Sequence, residues 1–493
     1  MLEEPAARAD SGDGMSGTIE ARWRRRPAPA GGGAKRGLGA LGILVGSFVG
    51  GVGLAAVGGR FGPLIIITIP AAFGVAVGVL GRPRLAIAII SLTLPAGFIS
   101  LPTDALGLGA AEIAVVLVVG LTVLRRLGTG KVPLPWSPPL WWAAAIVLWA
   151  IAATPGAASQ EAAIKQVAQL AGGLLLAMSV LASYRSLGES RASLAVLLVV
   201  GSGILAYALR DASDLRAQFG GGLGVNRASG VFSHPNDLGA FGAILLMLGV
   251  GWTLGARTPG TRALGVVTSA VSFVSLAVSL SRGAWIGVAL SGLLLLVILP
   301  QARRALLFAG MPVLLTGTIL VLRFGPPETP QFEAVAQRLA SITRPTSNPY
   351  DDRPAIYSEA VRQIREEPIL GNGPGSFPFE SARATSLART AHGAVHAHNV
   401  LLTVGAETGL PNVLLVVAFT MAIGLVVTRA ARRLPDPGDR ALVAGIGAAL
   451  FVQVGQGIVD YNLRNPVLFI LLAMLTGLVL VARRQMHETE PPP

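Results

Sequence analysis

From Leu38 to Val481 the chain alternates apolar runs with short polar junctions. The runs are about 20 residues long, enough for a helix to cross a bilayer core of roughly 30 Å. The pattern predicts fourteen spans: 38–59, 63–81, 85–101, 107–124, 138–154, 163–183, 192–210, 237–256, 263–280, 283–300, 305–322, 399–427, 441–459 and 465–482. Within the runs apolar and polar residues do not alternate singly, as a membrane barrel would require. The fold class that follows is all-α, a polytopic membrane helix bundle of about 12–14 transmembrane helices. After the first span, the one long polar interval is 323–397.

The junctions sort the chain across the bilayer. Every second one is basic, with Arg82 and Arg84, Arg125 and Arg126, Arg185 and Arg191, Arg257 and Arg262, Arg303 and Arg304, Arg432 and Arg440, then Arg483 and Arg484. Because Lys and Arg are retained on the cytoplasmic side, both termini are expected inside and the 323–397 loop outside. Residues 1–36 read as a disordered basic cytoplasmic tail, 37–210 as N-terminal transmembrane helices, 211–483 as a second membrane domain carrying the loop, and 484–493 as a cytoplasmic tail.

Composition changes this picture little. The chain is 52% hydrophobic and 13% charged, with a mean hydropathy of +0.64. Its net charge of +13 lies mostly in the short junctions, which speaks for membrane lipids as partners and against nucleic acid. There is no cysteine, which excludes disulfides, thiolate metal sites and cysteine nucleophiles.

The predicted topology places the unusual polar residues on the outer face: Arg227 and His234, Arg282 in a tight turn, the long loop, His398, and Asp460 with Arg464. Asp351, Asp352, Arg353 and Pro354 read as a helix start, followed by a helical stripe from Ile356 to Ile364 and a stop at Pro368. Gly371 to Gly375 reads as a glycine-rich turn. A guanidinium such as Arg282 can snorkel to headgroups or grip a pyrophosphate through its planar fork. His398 sits where the loop enters an apolar helix, and its imidazole can accept a proton at neutral pH. No HExxH-like spacing accompanies it, so no metal is expected.

Four stretches in order carry a resemblance: RASGVFSHPNDLGA (227–240), SLSRGAWIG (279–287), DDRPAIYSEAVRQIREEPILGNGPGSF (351–377) and HAHNVLLTVGAETGLP (396–411). Over about 220–480 the chain resembles the O-antigen ligase and polymerase superfamily of integral-membrane glycosyltransferases. That family's ligase pattern is His, then Asn, Ser or Gln, nine residues, and Gly-x-x-Gly. His398, Asn399 and Gly409 fit it, while Asn412 stands where the last glycine is expected. The resemblance implies a helical fold like that of C-type glycosyltransferases, without cofactor or metal, in the bacterial cytoplasmic membrane. It implies transfer of a glycan from a polyprenyl-diphosphate carrier to a glycan, lipid or protein acceptor hydroxyl outside.

On that basis His398 is expected to activate the acceptor and Arg227, Arg282 and Arg353 to bind diphosphate, with Asn399, Glu407 and Asp460 in support. Polysaccharide polymerase and protein O-oligosaccharyltransferase are alternatives within the superfamily. A transporter is the alternative outside it, suggested by Glu112 and Glu407 near span ends.

Overall fold

The computed structural model of the chain describes residues 83–95, 110–132, 134–214, 227–299, 303, 353–383 and 396–489. Among these residues every regular element is a helix. In chain order they are α1 (Ala86–Thr93), α2 (Ala110–Gly128), α3 (Leu140–Ala153), α4 (Gln160–Ser183), α5 (Leu187–Ala208), α6 (Pro235–Leu254), α7 (Pro259–Val278), α8 (Arg282–Ile298), α9 (Arg353–Glu366), α10 (Phe377–Arg383), α11 (Val400–Arg433), α12 (Pro437–Gly457) and α13 (Pro466–Thr489). Each expected span that falls on described residues meets one of them. The spans 38–59, 63–81 and 305–322, the N-terminal tail and parts of the long loop lie outside the described residues.

Seven of these helices (α4 to α7 and α11 to α13) are long and apolar enough to cross a membrane, and α3 and α8 are shorter apolar helices. The chain is a multi-pass membrane protein. Many of its large exposed apolar side chains, among them Trp141, Leu148, Phe273, Leu414 and Met421, lie on these apolar helices. That is the surface lipid would cover; in water it would be an aggregation-prone patch.

At the centre α6 packs on α7 and α12, and α12 on α8. Gly251 of α6 faces Gly445 of α12 so closely that a Cβ on Gly251 would lie 2.4 Å from the Gly445 Cα. Small residues at such a crossing let backbones touch, the main source of packing energy where lipid removes the hydrophobic drive between helices. Proline at the first turn and a capping side chain start both helices: His234 Nδ1 accepts from the Asn236 N–H for α6, and an Asp436 oxygen accepts from the Asp439 N–H for α12.

The two ends of the bundle differ in chemistry. One end gathers residues from the basic junctions: Arg84 pairs with Glu189 at 2.7 Å, Arg191 with Asp439 at 2.9 Å, and Arg257 with Asp436 at 3.1 Å. The other end gathers Arg227, His234, His398 and Asp460.

Candidate active site

The site is built on a break in α11. Gly409 takes φ 79° and ψ 170° inside the helix, and Pro411 follows without an N–H to donate. Three backbone groups at the break find partners outside the helix. The Ala406 carbonyl accepts from the Asn372 N–H at 3.0 Å, the Thr408 carbonyl from Trp149 Nε1 at 2.9 Å, and the Leu410 N–H donates to the Pro368 carbonyl at 2.8 Å. The segment after α9 is thus seated in the broken helix, and Asn412 braces it by donating to Thr408 Oγ1 at 2.8 Å.

The fit depends on glycine. At Gly371, with φ 65°, a Cβ would lie 2.5 Å from the Glu407 carbonyl carbon; at Gly409 it would lie 1.9 Å from the Ile369 oxygen. Buried Glu407 fastens the same turn, accepting from Gln166 Nε2 at 2.9 Å and from the backbone of Gly375 and Phe377. The stripe of α9 packs on α11, with Ile356 and Ala360 buried against Ala397 and Ala406.

This frame delivers His398. Asn399 caps α11 by accepting from the Leu402 N–H at 3.0 Å, and its amide donates to the Ile458 carbonyl at 2.9 Å. The Tyr357 hydroxyl donates to the His398 carbonyl at 3.3 Å. His398 itself has φ 48°, a left-handed conformation that an L side chain adopts at a cost. Its Nδ1 lies 3.2 Å from Asp460 Oδ1. A carboxylate there requires the ring to carry its proton on Nδ1, which leaves Nε2 to accept one.

Asp460 is 4% exposed. Burial alone would raise its pKa. The His398 hydrogen bond, the charges of His398 and His396, and the Tyr461 N–H outweigh burial and hold it at about 2. Its other oxygen accepts from Asn236 Nδ2 at 2.5 Å. Asn236 Oδ1 in turn accepts from Arg227 at 2.5 Å, and Arg227 Nε donates to the Ser279 carbonyl at 2.9 Å. His396 stacks edge-on with His398, ring centroids 4.3 Å apart, and its Nδ1 accepts from the His398 N–H at 3.2 Å. Burial first, then the His398 charge, depress the His396 pKa to about 4.

Residues 267–417 match the family model described as O-antigen ligase, Wzy_C. That match supports a likeness of this segment to the O-antigen ligase superfamily. No curated protein matches it. The matched segment carries Arg282, Arg353, His398, Asn399 and Glu407. Arg227, Asn236 and Asp460 lie outside it, so part of the cluster comes from residues beyond the O-antigen ligase match.

Of the residues expected to act together, His398 and Asp460 meet directly, Arg227 reaches them through Asn236, and Asn399 sets the local backbone. Arg353 opens α9 near enough to His234 for its charge, after burial and the charge of Arg227, to help lower that imidazole's pKa. Arg282 opens α8, where a Cβ on the adjacent Gly283 would lie 2.9 Å from Val459, one residue before Asp460. Glu407 holds the glycine turn and also lines the cavity beside Tyr461. Asn236 and Tyr461 were not singled out by sequence reasoning, and Arg464 was placed on the outer face without a role. For Asn236 the signal was present, since it belongs to the same SHPN stretch as His234.

One cavity of about 460 Å³ adjoins the cluster through Tyr461. Lys165, Gln166 and Arg464 line it together with the apolar Leu170, Val416 and Phe469. Donor atoms of His396, His398 and Asp460 lie within 4.8 Å of one another. A tetrahedral ion with bonds near 2.1 Å needs ligands roughly 3.4 Å apart. Both imidazole Nδ1 atoms and both Asp460 oxygens are already engaged by protein groups. The trio fits a hydrogen-bonded cluster better than a metal centre.

Proposed function

We propose that this protein is an integral-membrane glycosyltransferase of the O-antigen ligase type. It moves a glycan from a polyprenyl-diphosphate carrier to an acceptor hydroxyl on the outer face of the bacterial cytoplasmic membrane. The observation that carries this reading is the His398–Asp460 pair set beside Arg227 and His234 at one end of the bundle. The acceptor hydroxyl attacks the anomeric carbon while His398 Nε2 takes its proton. The bond from that carbon to the diphosphate oxygen breaks, and the diphosphate leaves with the electron pair.

Asp460 holds the imidazole in the required tautomer and offsets the imidazolium as it forms, a positioned acid–base arrangement worth about 10²- to 10⁴-fold in rate. Arg227, Arg282 and Arg353 offset the charge growing on the leaving group. The cavity beside Tyr461, charged at Arg464, Glu407 and the Lys165–Glu161 pair and apolar at Val416 and Phe469, suits an amphiphilic substrate. Asn399 and Glu407 act through the backbone, by placing His398 and the turn. Polymerase chemistry shares every one of these steps and differs in the acceptor.

The test is transfer by the purified protein from a polyprenyl-diphosphate-linked glycan to an acceptor, read as free polyprenyl diphosphate released together with elongated product. Arg282→Lys keeps the charge but not the bidentate fork, and most of the transfer is expected to be lost. Absence of acceptor-dependent release by the parent, supplied in turn with glycan, lipid and protein acceptors, would overturn the reading. For sidedness, a single cysteine at Glu367 should react with an impermeant thiol reagent in intact cells and one at Arg432 should not. The reverse would turn the site inward.

A further inference from the structure

We infer that Asn236 is a positioning residue that couples Arg227 to the His398–Asp460 pair, so that the charge at the leaving-group side sets the strength of the base. The inference rests on the glycosyltransferase reading above and adds to it a residue that lies outside the matched family segment.

The chemistry of its neighbours fixes the orientation of the Asn236 amide. A guanidinium can only donate and a carboxylate can only accept. The side chain must therefore turn Oδ1 to Arg227 and Nδ2 to Asp460, as it does at 2.5 Å on each side. Its main chain is engaged as well. The Asn236 N–H donates to His234 Nδ1 at 3.1 Å, and its carbonyl accepts from Asn462 Nδ2 at 3.1 Å and Gln456 Nε2 at 3.4 Å. A residue 8% exposed with every polar group satisfied is held in one place.

What the amide achieves is separation. Without it Asp460 would face Arg227 directly, and an arginine on a buried carboxylate would compete with the imidazole for the same charge. With it, Asp460 takes one neutral N–H on Oδ2 and keeps Oδ1 for His398 and the Tyr461 N–H. Arg227 polarises the amide, which strengthens its N–H toward Asp460. When an anion binds the guanidinium that polarisation falls, Asp460 pulls harder on the imidazole, and the base strengthens as the donor loads.

The other charged and titratable groups facing the pair include His396 on the same segment, His234 before α6, Asp237 in its first turn, Tyr357 and Arg353 on α9, and Tyr461 and Arg464 after α12. None of them is altered in the test that follows. Asn236→Ala and the isosteric Asn236→Asp are purified beside the parent and His398→Ala, and kcat and donor KM are measured across pH. In Asn236→Ala, kcat is expected to fall roughly tenfold to a hundredfold, the loss of a hydrogen bond to a charged group, with donor KM held within about twofold.

The acid limb of the pH–rate profile should move to higher pH in Asn236→Ala, because Asp460 loses a donor and favours the protonated ring more. It should move further in Asn236→Asp, which adds a negative charge. An unmoved limb in both variants would reduce Asn236 to packing, and a rise in donor KM alone would make it a donor-binding residue; either result overturns the inference. Should His398→Ala transfer at the parental rate in the same assay, the base assignment itself falls. That failure is distinct from an unmoved limb measured where His398→Ala is inactive.

Discussion

Helix α12 carries a buried carboxylate at each end, and the two are held in opposite ways. Asp439, in its first turn, takes Arg191 at 2.9 Å, Arg257 at 3.5 Å and the Gln485 amide at 3.0 Å. Asp460, just past its last turn, takes an amide N–H, a backbone N–H and an imidazole, with the nearest bonded arginine one amide away. Both are nearly excluded from solvent, at 3% and 4% exposure. Guanidinium groups do not give up protons, so the Asp439 end is a fixed clamp. An imidazole does exchange protons, so the Asp460 end can do chemistry. Burial of a carboxylate is common to both; the partner decides whether it is a rivet or a tool.

The largest expected effect breaks the clamp. Asp439→Ala leaves Arg191, itself half-buried, without its carboxylate, and removing one member of a buried pair costs about 3–5 kcal/mol. Folded protein and melting temperature should drop steeply, while the molecules that do fold transfer glycan at the parental rate per mole. Loss of turnover with no loss of folded protein would erase the contrast between the ends. Asp460→Asn inverts the pattern. The shape is kept and the melting temperature should move by a few degrees at most, while transfer falls by about 10² or more. A melting temperature that collapses as far as that of Asp439→Ala would make Asp460 a second clamp.

A smaller effect sharpens the picture of the chemical end. His396 stays neutral in the fold down to about pH 4, because burial, then the charge of His398, depress its pKa from the ordinary 6.5. Below 6.5 the unfolded chain takes up a proton that the fold refuses. This contribution to stability is full above pH 6.5 and is lost as the pH falls toward 4. His396→Phe keeps the ring stacked and removes the titration, so the drop in melting temperature between pH 7 and pH 5 should shrink by about 2 °C. An unchanged drop would mean that His396 titrates normally and lies open to water.

Much of the fold was legible because the apolar runs are long and the junction charges alternate. The expected span 283–300 appears as Arg282–Ile298, and the helix start at Arg353 appears where Asp-Arg-Pro marks it. The tight turn at Ser281 is there, with Leu280 at φ 50°. The break in α11 was signalled, since Glu407, Thr408, Gly409, Pro411 and Asn412 interrupt an otherwise apolar run. What seals it was not, because the segment that satisfies the freed groups lies about 40 residues earlier, which local periodicity does not record. The site was half legible for the same reason. His398 and the arginines stand out as polar residues at span ends, but His398 meets Asp460 across 62 positions and Asp460 meets Asn236 across 224. Glu407 was grouped with the site because it is a carboxylate near a span end; its side chain holds the glycine turn and lines the cavity beside Tyr461.

The central claim is that His398, oriented by Asp460, takes the acceptor proton. The most direct measurement is single-turnover glycan transfer by purified His398→Ala, with binding of the polyprenyl-diphosphate donor measured on the same sample. The account predicts transfer slower by about 10²- to 10⁴-fold, with donor binding and folded yield near parental. Transfer at the parental rate would contradict it. Loss of donor binding instead would move His398 from the acceptor to the diphosphate.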